Sequence, residues 1–347
     1  MSAITLRPVE QAMAQGGGDG SQYFLPADPG DLLRADRGRR SAVRFDSDGL
    51  SLAGHIYRPP ATNASTRTPG VVMCGPISSV KEQTLPHYAE RLADAGYTVL
   101  TFDSRSFGES EGTPRHHYDP NQVIADYSNA VGYLLTRPDV FAERIAAVGV
   151  CMGGGYAVSL GALDKRVKTV VSVAGGYNIG GTFQRMMGTE GFARYFRTIN
   201  DLHQRQRETG EIQYVPTIIQ ALSDDVPVAV MPNEEAFSYY DRTSGEDAPN
   251  WLPNTMTAAS LEPFYTYNAV AHAPLVAPAP LLIMHGTQDF FLLPEYAQAA
   301  YDAAIGRKEL HWIKTHNHIE LYDQDPYVSM ACAKIVDWLG DTLSSTS

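Results

Sequence analysis

The run Val148-Gly149-Val150-Cys151-Met152-Gly153-Gly154-Gly155 constrains this chain more than any other. It follows an apolar stretch, Arg144 to Val150, that reads as a strand, and precedes a helix-like stretch, Tyr156 to Leu163. A nucleophile held on a sharp strand-to-helix turn needs small residues two places before and two places after it, because larger side chains clash there. Gly149 and Gly153 hold those places, and Cys151 holds the centre, where Ser is usual. A thiol suits the position: sulfur is strongly nucleophilic, and its thiolate forms readily beside a His or at a helix N-terminus. The alternative is a structural Cys in a nucleotide-binding turn. Dinucleotide binding wants G-x-G-x-x-G in the first strand-helix unit, whereas this run follows several strands and lacks the pattern. A phosphate loop needs Gly-Lys-Ser/Thr, which the run also lacks.

On such turns the partners follow in the order nucleophile, acid, His. Downstream, Pro280 to Gly286 reads as a buried parallel strand that ends in Gly286-Thr287-Gln288-Asp289. A carboxylate just past a strand's C-terminal end faces the ligand crevice of an open α/β sheet. The next strand, Glu309 to Ile313, runs into Thr315-His316-Asn317-His318. Taken singly, Asp289 reads as a turn residue and the two histidines as solvated loop residues. Together they complete the order at successive strand ends.

From about Val71 to Trp338 the chain resembles the YcjY-like branch of the α/β-hydrolase superfamily. The matching segments are Val71 to Cys74 with Val80-Lys81-Glu82-Gln83, Phe102 to Arg105 with Gly108-Glu109-Ser110, Gly149 to Tyr156, and His318-Ile319-Glu320-Leu321-Tyr322-Asp323. Fungal polyketide transferases, which move an acyl chain onto an alcohol with a Cys, are similar too. Dienelactone hydrolase, also a Cys-His-Asp enzyme, is more distant. The resemblance implies an α/β-hydrolase fold: a mostly parallel sheet with helices on both faces and an inserted, aromatic-rich helical cap. It implies a Cys151, His318, Asp289 triad, with His318 chosen over His316 because it aligns with the His before Leu-Tyr-Asp. By rule the oxyanion hole takes the Met152 backbone N–H and one donor from the loop Gly75-Pro76-Ile77-Ser78-Ser79. Pro76 has no N–H, and alignment with His-Gly-x loops selects Ile77. Relatives carry His-Pro-Gly-Gly-Gly there, so the loop departs from their pattern.

Four segments are expected. Residues 1–40, rich in Gly, Asp and Arg, form an N-terminal arm. Residues 41–175 alternate strand and helix as the first part of the core. They open with a hairpin, Ala42 to Phe45 and Leu52 to Tyr57, turning at Asp48-Gly49. Strands Gly70–Cys74, Tyr97–Phe102, Arg144–Val150 and Val167–Val173 follow, with helices near Glu82–Ala95 and Asn121–Thr136 and a turn at Pro138 to Phe141. Residues 176–273 break the alternation with many aromatics and read as the cap. Most of those aromatics are expected to be its own core, and a few to line an apolar substrate pocket. Residues 274–347 resume the core and close with the helix Tyr327 to Leu343.

The remaining candidates are structural by expectation. Glu82 reads as a carboxylate favoured by a helix N-terminus, Asp103 and Arg105 as salt-bridge residues at a strand end, and His116-His117 as exposed. The net charge of −12 argues against nucleic acid or an anionic membrane as partner. Three cysteines without paired spacing point to a reducing, cytoplasmic compartment. No metal spacing appears, and the chemistry needs no cofactor. The expected function is cleavage of an ester, lactone or thioester through an acyl-thioester enzyme; the alternative is acyl transfer to an alcohol or amine, and a less favoured one a non-catalytic ligand-binding scaffold. The expected partner is a small-molecule acyl substrate, free or as a carrier-bound thioester, with a mainly apolar acyl group. Arg105, Arg115, Arg185 and Arg194 are the candidates for a cationic clamp on a charged substrate instead. Nothing in the sequence sets the oligomeric state.

Overall fold

A computed structural model describes residues 40–60, 66–245 and 247–344. The expected 1–40 arm falls outside these except for Arg40, which opens the first strand. Strands β1 (Arg40–Ser47) and β2 (Leu50–Tyr57) pair antiparallel from Arg40↔Tyr57 to Ser47↔Leu50. Asp48 and Gly49 turn between them, both at positive φ (54° and 85°), as a two-residue hairpin requires. Next come β3 (Thr68–Cys74), β4 (Thr98–Phe102), β5 (Val140–Val150) and β6 (Thr169–Val173). Later, β11 (Leu281–Gly286) and β12 (Lys308–Ile313) complete one eight-stranded sheet in the order β1-β2-β4-β3-β5-β6-β11-β12. From β4 to β12 every pairing is parallel. The inner strands, buried on both faces, are near-continuous apolar runs, as in Val-Val-Met-Cys and Leu-Leu-Ile-Met, whereas the edge strand β12 is only part-buried.

Helices cover both faces. α1 (Leu85–Asp94) and α9 (Tyr327–Leu343) pack together on one; α2 (Pro120–Leu135), α3 (Met152–Leu163) and α7 (Pro294–Ala303) lie on the other. Two sequence expectations need correction. Residues 138–141 are not a turn throughout: β5 begins at Val140, opposite Thr68, and the register shifts at Pro69/Gly70. Glu82 is not at a helix N-terminus, because α1 starts at Leu85, with Pro86 in its first turn, where a missing N–H costs nothing.

Between β6 and β11 the chain leaves the sheet. It forms the long helix α4 (Ile179–Thr209), broken at Gly188 (φ 69°, ψ 166°). Strands β7 (Tyr214–Pro216), β8 (Ile218–Ile219), β9 (Met231–Pro232) and β10 (Thr255–Thr257) pair as β7 with β10 and β8 with β9. Helices α5 (Glu234–Thr243) and α6 (Leu261–Thr266) complete the segment. It is thus mixed rather than purely helical. Its aromatics pack largely on one another: Tyr265 meets the rings of Phe183, Tyr195 and Phe196 at 4.7–5.8 Å.

Candidate active site

The parallel strands all end on the same edge of the sheet, and the order β4-β3-β5 places a topological switch there. In open α/β sheets ligands bind in this crevice. Cys151 stands at the end of β5 with φ 59° and ψ −126°, a conformation L residues adopt at a cost. A Cβ on Gly149 would lie 1.8 Å from the Gly153 carbonyl oxygen, and one on Gly153 would lie 2.0 Å from the Cys74 carbonyl oxygen. Neither backbone can yield, so only glycine fits. The turn is pinned by Cys151 N–H donating to Val173 O at 2.9 Å and by Gly154 and Gly176 N–H donating to Cys151 O.

Gly153 N–H donates to Gly75 O at 3.0 Å, which locks the turn onto the loop after β3. In that loop Ser78 takes φ 58° without being glycine. Met152 and Ile77 are both buried, and among the described residues neither backbone N–H has a protein acceptor. The loop continues into Lys81, whose N–H donates to Asp103 Oδ1 at 2.6 Å. Its ammonium, almost fully buried, meets Asp103, Glu82 and Glu109 at 3.0, 2.7 and 2.6 Å. Burial, then the Asp103 charge, raises the Glu82 carboxyl above its usual range. Burial, then Lys81, drops nearby His55 to about 4. The group is an ion-pair network that fixes the loop. Arg105 belongs to a separate one, with Asp126 and Asp48.

Asp289 lies three residues beyond β11. Its Oδ1 accepts from Phe291 and Leu292 N–H at 2.9 and 2.7 Å, and its Oδ2 meets His318 Nδ1 at 2.6 Å. His285 donates from Nε2 to Leu292 O at 2.9 Å and stands 3.4 Å from the same Oδ2. Burial works to raise the Asp289 carboxyl, but His318 and His285 override it and hold the group well below the carboxylate range. Burial likewise works against a charged His318, yet the Asp289 and Cys151 charges lift it well above 6.5. Cys151, His318 and Asp289 are thus brought together. His316 is not: its side chain is 69% exposed and pairs with Glu320 at 3.1 Å. Burial pushes the Cys74 and Cys332 thiols up, the latter to about 12, which disfavours a thiolate at either.

Sequence reasoning assigned no role to four residues here. Tyr322 Oη lies 3.2 Å from His318 Nε2. Glu235, on α5, accepts Ile319 N–H at 2.9 Å. Tyr240, also on α5, donates to Ile77 O at 2.8 Å. His285 braces Asp289. His116 and His117 were expected to be exposed. Instead His116 is buried against Thr255 O at 3.0 Å, and His117 bonds Thr257 Oγ1 at 2.9 Å, which ties the core to β10. The clamp arginines are engaged elsewhere or point outward: Arg115 donates to Ser110 O and Gly108 O, Arg185 meets Glu295, and Arg194 is exposed. Among the described residues no cluster of three or more His, Cys, Asp or Glu could hold a metal ion. No described helix is long and apolar enough to cross a membrane.

Residues 78–331 match the alpha/beta hydrolase family. The chain belongs to that family. It is 30% identical over 313 residues to the uncharacterized protein YcjY of Escherichia coli K12, covering 87% of this chain and 98% of that one. It is 29% identical to the thiohydrolase aneE of Aspergillus aculeatus (78% and 83% covered) and 25% identical to the polyketide transferase claH of Penicillium crustosum (88% and 98%). The crystal structure of the hypothetical protein PA2218 from Pseudomonas aeruginosa superimposes with a TM-score of 0.74 at 26% identity, over 88% of this chain and 94% of that one.

Proposed function

We propose that this α/β-hydrolase-family protein cleaves an ester, lactone or thioester through an acyl-thioester at Cys151. The observation that carries the reading is the 2.6 Å contact between Asp289 Oδ2 and His318 Nδ1, on a histidine that nearby Cys151 helps to keep charged. Asp289, a carboxylate, accepts, so Nδ1 carries the proton and Nε2 is the nitrogen that exchanges one. His318 Nε2 takes the Sγ proton and the thiolate attacks the carbonyl carbon. The oxyanion rests on the Met152 and Ile77 N–H groups, each worth about 3–4 kcal/mol. Nε2–H then protonates the leaving group, and the acyl group stays on sulfur. In the second half an acceptor O–H or N–H gives its proton to Nε2, attacks the thioester and frees Cys151. The names of the relatives, a thiohydrolase among them, agree with this chemistry.

We assign residues 176–273 as a cap on a core built from 41–175 and 274–347. Cys151 has 0% exposure, so substrate entry requires the cap to move. The same closure favours the second reading, transfer to an alcohol or amine, because it keeps water from the thioester. A polyketide transferase among the relatives agrees with it.

Intact-protein mass spectrometry with a panel of activated esters and pantetheine-type thioesters tests both readings. The expected result is one acyl adduct on the wild type and none on Cys151→Ala, with the adduct then discharged by water or by an added acceptor. An adduct of equal yield on Cys151→Ala rules out the nucleophile.

A further inference from the structure

Tyr322 has the surroundings of a working group rather than of a core aromatic. Its hydroxyl is 3.2 Å from His318 Nε2, the one imidazole nitrogen not committed to Asp289. The Cys151 side chain is close enough to act on the same hydroxyl. Among the described residues the hydroxyl has no further protein partner. The ring cannot swing away. It meets His318 edge-on (5.1 Å, 72°) and Tyr239 edge-on (4.9 Å, 85°). Its backbone is tied by Tyr322 N–H to Ile319 O at 2.8 Å and by Tyr88 Oη to the neighbouring Leu321 O. A fixed hydroxyl on the free nitrogen of His318, with Cys151 nearby, is placed to touch the reacting atoms of the proposed chemistry.

We propose that Tyr322 is a fourth catalytic residue, whose hydroxyl donates a hydrogen bond to the Cys151 thiolate alongside His318. This rests on the reading of Cys151 as the nucleophile. Burial, then the Cys151 charge, pushes the phenol well above 10. It therefore keeps its proton wherever the chain is folded, so its O–H can donate to sulfur while its oxygen accepts from a protonated His318 Nε2. When the thiolate forms, its proton goes to His318 Nε2, and Tyr322 neither gains nor loses one. A hydrogen bond to a charged group is among the stronger ones in proteins, so the hydroxyl holds sulfur in its reactive form before substrate arrives. The other ionisable groups facing this point are His318 with Asp289 behind it, Tyr239 and Tyr240 from α5, Tyr118 and Cys74 across Cys151, and Glu235 beside the His318 loop. Burial keeps the three phenols and the Cys74 thiol protonated.

The experiment follows the rate of alkylation of Cys151 by iodoacetamide against pH in the full chain, with peptide mapping to separate Cys74 and Cys332. Tyr322→Phe removes only the donor. Its midpoint is expected to rise by about one pH unit, a tenfold loss of thiolate on the acid side. Site-specific replacement of Tyr322 by 3-fluorotyrosine, a stronger donor of the same shape, is expected to lower it. A Phe variant that melts earlier but keeps the wild-type midpoint has lost only packing, and overturns the proposal while leaving Cys151 as nucleophile. Should the Phe variant fail to fold, an unmoved midpoint in the fluorotyrosine protein overturns it instead. If wild-type Cys151 reacts no faster than Cys74 and Cys332, both this proposal and the reading beneath it fall.

Discussion

At the scale of single residues, the site concentrates strain and charge at points that packing holds fixed. Cys151 keeps a left-handed φ because Gly149, Gly153 and three backbone hydrogen bonds leave it no other. Asp289 and His318 then set each other's protonation. The Asp289 charge is one of the terms lifting His318 above 6.5 against the opposing effect of burial. Asp289→Asn removes that charge, so the imidazolium deprotonates at lower pH. The alkaline limb of the kcat/KM profile is expected to move down, and turnover to fall about 10³–10⁴-fold, as when the acid of such a triad is lost. The stability change has its own sign. Asp289 has a depressed pKa in the folded chain, so its contribution is present above its unfolded value near 4 and fades as pH falls through the folded value. The melting gap between wild type and Asp289→Asn should therefore be open at pH 7 and close in acid; a gap that widens toward acid contradicts the assignment.

At the scale of elements, α5 joins the loop of Ile77 to the loop of His318, the two to which the proposal gives the chemistry. Asn233 caps its N-terminus through Ala236 N–H at 2.9 Å, with Glu234 and Glu235 in the first turn. From that one helix Tyr240 holds Ile77 O, Tyr239 Oη meets Thr84 Oγ1 at 2.7 Å, Glu235 holds Ile319 N–H and Arg242 meets Asp323 at 2.7 Å. Under the proposed chemistry, opening this segment to admit substrate loosens the oxyanion loop and the histidine loop together. Closing it rebuilds both. Glu235→Ala cuts the bond to the histidine loop and leaves an unpaired N–H, a loss of about 1–3 kcal/mol in stability. The expected signature is a kcat drop of tenfold or more with a smaller change in KM, and little change in the yield of a slow acylation end point. Equal effects on kcat and KM with no loss beyond stability would reduce α5 to packing. None of this was legible in the sequence. The strands, the Asp48-Gly49 hairpin and the closing helix were, because apolar runs and turn residues are local signals. Glu235 lies 84 residues from Ile319 in a stretch without periodicity, and Tyr322, next to Leu321, reads as an ordinary core aromatic. Pro86 is a local sign that α1 begins after Glu82.

At the scale of the whole molecule, a negatively charged chain encloses Cys151, the proposed nucleophile, where solvent does not reach it. The charge, −12 from 27 Lys and Arg against 39 Asp and Glu, penalises a polyanionic substrate at the approach. Within the site, the cationic side chains the sequence offered as clamps are tied to carbonyls and carboxylates away from Cys151 or exposed. What faces Cys151 instead is a set of protonated phenols, Tyr118, Tyr240 and Tyr322, with Phe291 against His318 at 5.3 Å. These come from separate loops and helices, so only the fold assembles them and no single stretch of sequence announces the surroundings of Cys151. Such walls favour an uncharged, mainly apolar acyl group with few polar atoms near the carbonyl. Each methylene buried on binding contributes about 0.8 kcal/mol, and a tenfold gain needs about 1.4 kcal/mol. Extending a p-nitrophenyl or N-acetylcysteamine ester from acetyl toward octanoyl is therefore expected to raise kcat/KM about tenfold for every two carbons until the pocket fills. The gain should appear in the acylation rate, since the added surface is far from the leaving group and acts by drawing the cap closed over the chain. A flat or falling series, or a preference for dicarboxylate over neutral acyl groups, would mean that a charged pocket forms when the cap moves.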